Sequence, residues 1–454
     1  MSAMPITSSA AAPAVVPAAL RLVENEARAL LVRLGRIKPF ALQQTMVPAA
    51  GLPPASLSAI DRYLISGRRK VHQMVVTFIR WLRSPSGRLV TPEAAQRRFS
   101  MLRMRFNATL SQLDIFAAVL TQRSEQETGT WLAGLDIVAA DALSLNGNYY
   151  ASPGLITFLD RSHGAAIRRA RTRLPGGGDN PVAIIRMPRE RMIGSGIASS
   201  LVHEVGHQAA ALLDLVESIR PELRQRQQQD GSESIAWAYW DRCISEILAD
   251  FWSIARVGVI STLGLMGVVT LPRYFVFRLN LDDPHPLPWI RVRLSCAMGR
   301  ELFPHPQWDV LENIWLSYYP PADLDAEKLK TLNLLERGMP ELAALIAYHR
   351  PRSLNGASLK EALQTDERHP EHLSSLFQAW RASPVRMYEA APTMVFAVIG
   401  QARSDGSLSP EAEGRIFSRM LNYWALRDTL DTAVNCAKPT LIRPAAPSFL
   451  FDTN

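Results

Sequence analysis

Apolar residues recur at helical spacing through the first 120 positions of the chain. This pattern predicts three helical stretches, over residues 20–34, 57–82 and 91–120. The residues before the first stretch are rich in alanine, proline and serine, a composition typical of flexible segments. We therefore expect a flexible leader over residues 1–20 and a helical N-terminal region over residues 21–130.

The spacing changes near residue 134, where short apolar runs bounded by turn residues replace the helical period. These runs predict strands over residues 135–140, 155–159 and 182–187. A helical stretch follows from residue 197 to about 220, and a second runs from about 233 to 257. The polar, glutamine-rich residues 220–232 between them are expected to form a surface excursion or a helix end that frays into a loop.

An apolar run of 15 residues, 257–271, is too short for a membrane-spanning helix, which needs about 20 residues. It fits a buried helix or hairpin, and a membrane-touching role stays open. Helical patterns return after residue 299. The expected fold class is therefore α+β and mainly helical, with a catalytic domain over residues 131–300 and a helical C-terminal region over 301–454.

The first helical stretch of this central part, from residue 197 to about 220, contains the sequence His203-Glu204-Val205-Gly206-His207. Positions i and i+4 lie on one face of a helix, so His203 and His207 can bind one metal ion. Glu204 lies next to that face, where its carboxylate can accept a proton from a water on the metal. The pattern indicates a zinc site with Glu204 as general base.

A catalytic zinc usually takes three protein ligands, so a third residue is needed. Glu246 lies on the next predicted helix, 39 residues beyond His207. Asp250 follows one turn later and could accept a hydrogen bond from the outer nitrogen of a ligand imidazole. Their neighbours are strongly apolar, and buried acids need partners. We therefore predict Glu246 as the third ligand and Asp250 as its support.

HExxH followed by ExxxD on the next helix resembles the gluzincin metallopeptidases. The resemblance covers residues 180–255 and implies a zincin-like core, in which a small sheet precedes the HExxH helix and the helix of the third ligand. It also implies Zn²⁺ as the cofactor. A strand at 182–187 would lie along the cleft and could bind an extended peptide by strand addition.

A second, weaker resemblance lies in the segment 283–291, which reads DPHPLPWIR. A His-Pro pair followed by arginine is similar to a segment of the HtpX and CAAX prenyl peptidase group. In gluzincins a downstream histidine often stabilises the oxyanion. The resemblance therefore suggests His285 as a catalytic residue, with Arg291 or Arg293 as supports.

Composition limits the partners and the compartment. The net charge of +8 is spread along the chain, and no Lys/Arg block with interleaved aromatic residues predicts a nucleic-acid site. No integral membrane span and no signal peptide are expected. The three cysteines, Cys243, Cys296 and Cys436, lie far apart, which fits a reducing compartment and hence the cytoplasm. Nothing in the sequence predicts the oligomeric state.

The predicted function is therefore a zinc metallopeptidase that hydrolyses peptide or protein substrates. Three alternatives remain. The protein could be a zinc-containing binding or regulatory module without turnover, or a zinc hydrolase that acts on a non-peptide bond. In the third alternative, the chain is a helical scaffold in which HExxH occurs by chance.

Overall fold

A computed structural model describes residues 15–36, 46–160, 164–174, 178–189, 194–229, 231, 234–279 and 283–437 of the 454-residue chain. For residues 195, 198 and 435–437 only the backbone is described. Most of the predicted leader lies outside these ranges. The prediction was wrong for residues 15–20, which are helical.

Five helices form the N-terminal part of the protein: α1 (Val15–Arg36), α2 (Pro54–Arg83), α3 (Pro85–Arg88), α4 (Pro92–Thr121) and α5 (Gln126–Leu143). Thr91 caps α4, because its hydroxyl accepts a hydrogen bond from the N–H of Ala94. The strand predicted at 135–140 was wrong, since these residues belong to α5. That helix is buried on most of its surface, so its apolar run lacks a helical period.

Three strands form one small sheet: β1 (Leu155–Asp160), β2 (Ala166–Arg168) and β3 (Ala183–Pro188). The strands predicted at 155–159 and 182–187 are confirmed as β1 and β3. The order is β1-β3-β2, so β3 is the central strand. It pairs in parallel with β1 and antiparallel with β2.

The central helices follow the sheet directly. Their bounds are α6 (Ser195–Ile197), a π-helical turn (Ala198–Val202), α7 (His203–Leu212), α8 (Leu215–Gln229) and α9 (Ser234–Val257). The prediction of a loop over residues 220–232 was wrong for residues 220–229, which belong to α8. Leu215, Ile219 and Leu223 form a buried stripe at spacing i, i+4, i+8, and this stripe holds α8 helical through its polar, proline-containing sequence.

Helices also make up the rest of the described chain. They are α10 (Val259–Val269), α11 (Arg273–Val276), α12 (Pro288–Leu302), α13 (Gln307–Tyr318), α14 (Ala326–Tyr348), α15 (Leu359–Ala362), α16 (Pro370–Ala382), α17 (Val385–Glu389), α18 (Pro392–Ser404) and α19 (Pro410–Ala437). The apolar run 257–271 is mostly the buried helix α10. Within the described ranges, no helix combines the length and apolar character that a membrane span requires.

The protein is thus mainly helical with one small mixed sheet, as the sequence predicts. The residues of its largest apolar core come from positions between Leu132 and Trp424 of the chain. This core therefore extends past the domain boundary predicted at residue 300. A smaller core joins α1, α2 and α4. The large core encloses α7 and α9 on most sides, which holds the residues between them in fixed positions.

Candidate metal centre

Helices α7 and α9 approach each other closely at Gly206 and Ala249. A Cβ atom on Gly206 would lie 2.8 Å from the Cα atom of Ala249 and 2.9 Å from its carbonyl oxygen. Only glycine leaves room for this approach. The contact brings α9 near enough to α7 for the carboxylate of Glu246 to reach between His203 and His207.

The two imidazoles and this carboxylate converge on one point. His203 Nε2 lies 3.2 Å from Glu246 Oε2, and His207 Nε2 lies 3.3 Å from Glu246 Oε1. One possible ligand atom from each residue lies within 4.8 Å of those of the other two. No other group of this kind occurs among the described residues. The structure therefore brings together the three residues that the sequence predicted as metal ligands.

The spacing of these atoms fits a tetrahedral metal site. Zinc–nitrogen and zinc–oxygen bonds of about 2.0–2.1 Å at tetrahedral angles separate neighbouring ligand atoms by about 3.3 Å. Each histidine nitrogen lies about this far from one oxygen of Glu246, His203 Nε2 from Oε2 at 3.2 Å and His207 Nε2 from Oε1 at 3.3 Å. Glu246 Oε2 is buried, and no described residue donates a hydrogen bond to it. A buried carboxylate oxygen without a donor is what a metal ligand would leave here in the absence of its ion.

Outer contacts hold the three residues in place. His203 Nδ1 lies 2.8 Å from Asp250 Oδ1, so the second ring nitrogen faces a carboxylate. Arg291 donates two hydrogen bonds to Asp250, of 2.6 Å and 2.8 Å. The hydroxyl of Ser245 lies 3.4 Å from His207 Nδ1. Asp250 thus occupies the predicted supporting position. Ser245 was not predicted, although it directly precedes Glu246 in the sequence.

The protonation of these groups follows from the same contacts. Burial disfavours a charged Glu246, but its close contacts with the imidazoles of His203 and His207 hold its pKa well below the usual range. Burial likewise opposes ionisation of Asp250, but Arg291 and His203 together outweigh it and lower the pKa of Asp250 to about 2. Burial disfavours an imidazolium at His203, yet Asp250 raises the pKa of His203 to about 9. The carboxylates therefore create a negative potential where a cation would bind.

Glu204 faces a cavity of about 260 Å³ beside the three residues. Its side chain is largely buried, and burial raises the pKa of its carboxyl above the usual value. His203, Asp250 and Arg291 line the same cavity. A carboxylate with a raised pKa at the wall of such a cavity can accept a proton from a water there.

His285 lies beside the three residues, at the mouth of this cavity. Its Nε2 is 3.4 Å from Glu246 Oε2, and its side chain is about half exposed. Asp283 Oδ1 accepts hydrogen bonds from His285 Nδ1 at 2.7 Å and from its backbone N–H at 3.0 Å. Hydrogen bonds from His285 outweigh partial burial and lower the pKa of Asp283. Asp283 was not predicted, although its position two residues before His285 is typical of a side chain that bonds the backbone.

The two arginines predicted to support His285 have different surroundings. Arg291 lines the cavity with it and is paired with Asp250, as described above. Arg293 instead points to Glu312 and Glu336, at 2.7 Å and 2.5 Å, away from the site. Residues 291 and 293 lie about 200° apart around α12, which explains why only one of them faces the cavity.

The expectation that strand 182–187 lines the cleft and adds a peptide was wrong. This strand, β3, is paired on both sides. The outer edge of β1 is also occupied, because Asp136 and Arg123 bond the N–H and C=O of Thr157. Gln122 bonds both backbone groups of Leu159 in the same way.

The short strand β2 is the edge nearest the cavity. Gly164 and Ala165, which precede it, line the cavity wall. The N–H of Ala183 donates a hydrogen bond to the C=O of Gly154, on the β1 side of β3. The residues that alternate with Ala183 along β3 therefore direct their backbone N–H and C=O groups towards β2. Those residues pair with Ala166 and Arg168. The N–H and C=O of Ile167 therefore point away from the sheet.

Comparisons with known proteins assign no family. No family model, no curated protein and no solved structure matches the chain. The gluzincin resemblance stays a prediction that rests on the HExxH and ExxxD residues and their geometry.

Proposed function

We propose that the protein is a zinc-dependent metallopeptidase. In this proposal His203, His207 and Glu246 hold Zn²⁺, and Glu204 is the general base. The observation that carries the proposal is the convergence of two imidazole nitrogens and a carboxylate at separations of 3.2 Å and 3.3 Å. That spacing suits zinc, and Glu204 lies beside it in the cavity wall.

Zinc, when bound, would polarise a substrate carbonyl and lower the pKa of a water in its open position. Glu204 would take the proton from that water and deliver it to the nitrogen of the breaking peptide bond. The raised pKa of Glu204 suits a group that must first accept and then donate a proton. Water forms the new bond to the carbonyl carbon, and the amine leaves as the neutral product.

His285 would donate a hydrogen bond from Nε2 to the developing oxyanion. This donation requires a ring that is protonated at both nitrogens; Asp283 accepts the Nδ1 proton and orients the ring with Nε2 towards the cavity. Arg291 would keep Asp250 ionised, and Asp250 would in turn orient His203.

A peptide is the substrate class that the surroundings favour. The outward N–H and C=O of Ile167, two residues after the cavity-lining Ala165, offer an extended chain two backbone hydrogen bonds. A substrate without a backbone would not use them. The cytoplasmic location also belongs to this proposal, because Cys243 and Cys296 are buried and free. Cys436 lies outside the described side chains.

The test combines metal analysis with peptide-library cleavage for wild type, Glu204→Gln and Glu217→Gln. Glu217 is an exposed residue of α8 and serves as the control. Wild type and Glu217→Gln should bind one zinc and cleave peptides, whereas Glu204→Gln should keep its zinc and lose activity. Stoichiometric zinc with no cleavage by any variant would favour the non-catalytic module. A library of esters and amides without a peptide backbone, cleaved while peptides are not, would favour the non-peptide hydrolase.

A further inference from the structure

A groove between α2 and α4 lies apart from the metal centre. Its cavity measures about 580 Å³. From α2 it is lined by Met74, Phe78 and Trp81, which share one helix face at spacing i, i+4, i+7. From α4 it is lined by Met101 and Leu102. The floor of the groove is therefore apolar along both helices.

The adjoining faces of the two helices are already covered, in a core that also includes Phe78 and Leu102 of the groove floor. Val71, Val75 and Ile79 of α2 pack with Phe99 and Phe106 of α4 in a small core that also includes α1. Three helices thus fill one side of this unit. The groove occupies the position that a fourth helix takes in a four-helix bundle.

The dimensions and exposure of the groove agree with that position. From residue 70 to residue 81, α2 advances about 16 Å, or three helical turns. Met101 is 55 % exposed and the adjacent Met104 is 66 % exposed. Methionine side chains adapt to many apolar partners, which makes such a surface suitable for docking.

The charges at the groove are all of one sign. Lys70, Arg98 and Arg105 line its rim, and no carboxylate lies among the lining residues. The guanidinium of Arg98 lies over the ring of Trp81, 4.2 Å from its centroid. Two acids of α4 and α1 are paired with other arginines, since Glu93 pairs with Arg97 and Glu24 pairs with Arg83. The complementary ligand is therefore apolar on one face and acidic along its flanks.

We propose that this groove binds an acidic amphipathic helix of a partner protein. Apolar side chains of that helix at i, i+3, i+4 and i+7 pack on Met74, Phe78 and Met101, and its Glu and Asp residues face Lys70 and Arg105. A nucleic acid fits less well, because a phosphate backbone has no apolar face to cover the methionines. The groove would recruit a substrate or an adaptor, independently of catalysis.

The test uses the full chain and three labelled synthetic peptides of 18 residues, about five helical turns. The first has leucines at the four helical positions and glutamates on the flanks. The second carries lysines in place of the glutamates, and the third has the first composition in shuffled order. Fluorescence anisotropy should show binding of the acidic helix, with both other peptides at least about tenfold weaker. Equal binding of the shuffled peptide, or no binding of the acidic helix, overturns the proposal.

Variants connect that binding to the groove. The double variant Lys70→Glu, Arg105→Glu should bind the acidic helix at least about tenfold more weakly than wild type and should bind the lysine peptide more tightly. Its control, Arg386→Glu, Arg419→Glu, changes net charge equally at exposed positions of α17 and α19 and should leave both affinities unchanged. Circular dichroism verifies that each variant is folded.

Two further results would assign the groove differently. A single-stranded oligonucleotide that competes with the peptide, and loses affinity in the Lys70→Glu, Arg105→Glu variant, would assign it to nucleic acid. A dimer in sedimentation velocity that Met101→Asp dissociates would assign it to a second copy of this chain. Either result overturns the proposal of a partner helix.

Discussion

His203 Nδ1 lies 2.8 Å from Asp250 Oδ1, and this contact joins α7 to α9 at the candidate metal centre. Asp250 is also the residue that Arg291 of α12 holds with two hydrogen bonds. The chain of contacts therefore runs from α7 through α9 to α12. The orientation of one predicted metal ligand depends on a residue 88 positions away, and this dependence can be measured.

Asp250→Asn should weaken zinc binding by about 10- to 100-fold, because His203 loses the carboxylate that orients its ring. Competition with a calibrated chelator measures this affinity. Asp241→Asn on the same helix is the matched control, since Asp241 pairs with Arg220 outside the metal site. Equal zinc affinity in all three proteins would remove Asp250 from the metal site.

Gly206→Ala should destabilise the protein by about 1–3 kcal/mol and lower its zinc affinity, because the new methyl group forces α7 and α9 apart. Urea unfolding and chelator competition measure the two effects. Gly267→Ala in α10 is the control, since an added Cβ there meets nothing within 4 Å. That variant should be neutral or slightly more stable. An unchanged free energy of unfolding in Gly206→Ala would contradict the close approach.

His285→Ala should reduce kcat by about 10²- to 10³-fold with zinc content unchanged, because it removes a donor to the oxyanion. Asp283→Asn keeps the imidazole but weakens its orientation, so its loss of kcat should be smaller. Steady-state kinetics on one cleaved peptide, together with metal analysis, separates the two variants. A loss of zinc in His285→Ala would instead make His285 a ligand.

Ile167→Pro should raise KM and leave zinc content and fold unchanged, because it removes an N–H that the sheet does not use. Ile167→Ala is the control, since it shortens the side chain and keeps the N–H. Peptide kinetics for both variants measure the difference. If the two variants have the same KM, the substrate does not add to β2.

The sequence by itself determined which residues form the candidate metal site. His203 and His207 are four residues apart on a helix, and Glu246 and Asp250 repeat that interval on another. Intervals of this kind are local, so each pair lies on one face whatever the rest of the fold does. The strands at 155–159 and 182–187 were predictable for a similar reason, because short runs of β-branched residues bounded by turns favour strands.

Only the tertiary structure decided what depends on distant contacts. The run 135–140 is apolar except for Asp136, and whether such a run forms a strand or a buried helix depends on what packs around it. The order β1-β3-β2 places the predicted cleft strand at the centre of the sheet, and no local pattern encodes strand order. Ser245, Asp283 and Arg291 reach the site because separate helices and a turn meet there. Their roles come from packing and charge compensation across the core, which a single sequence does not display.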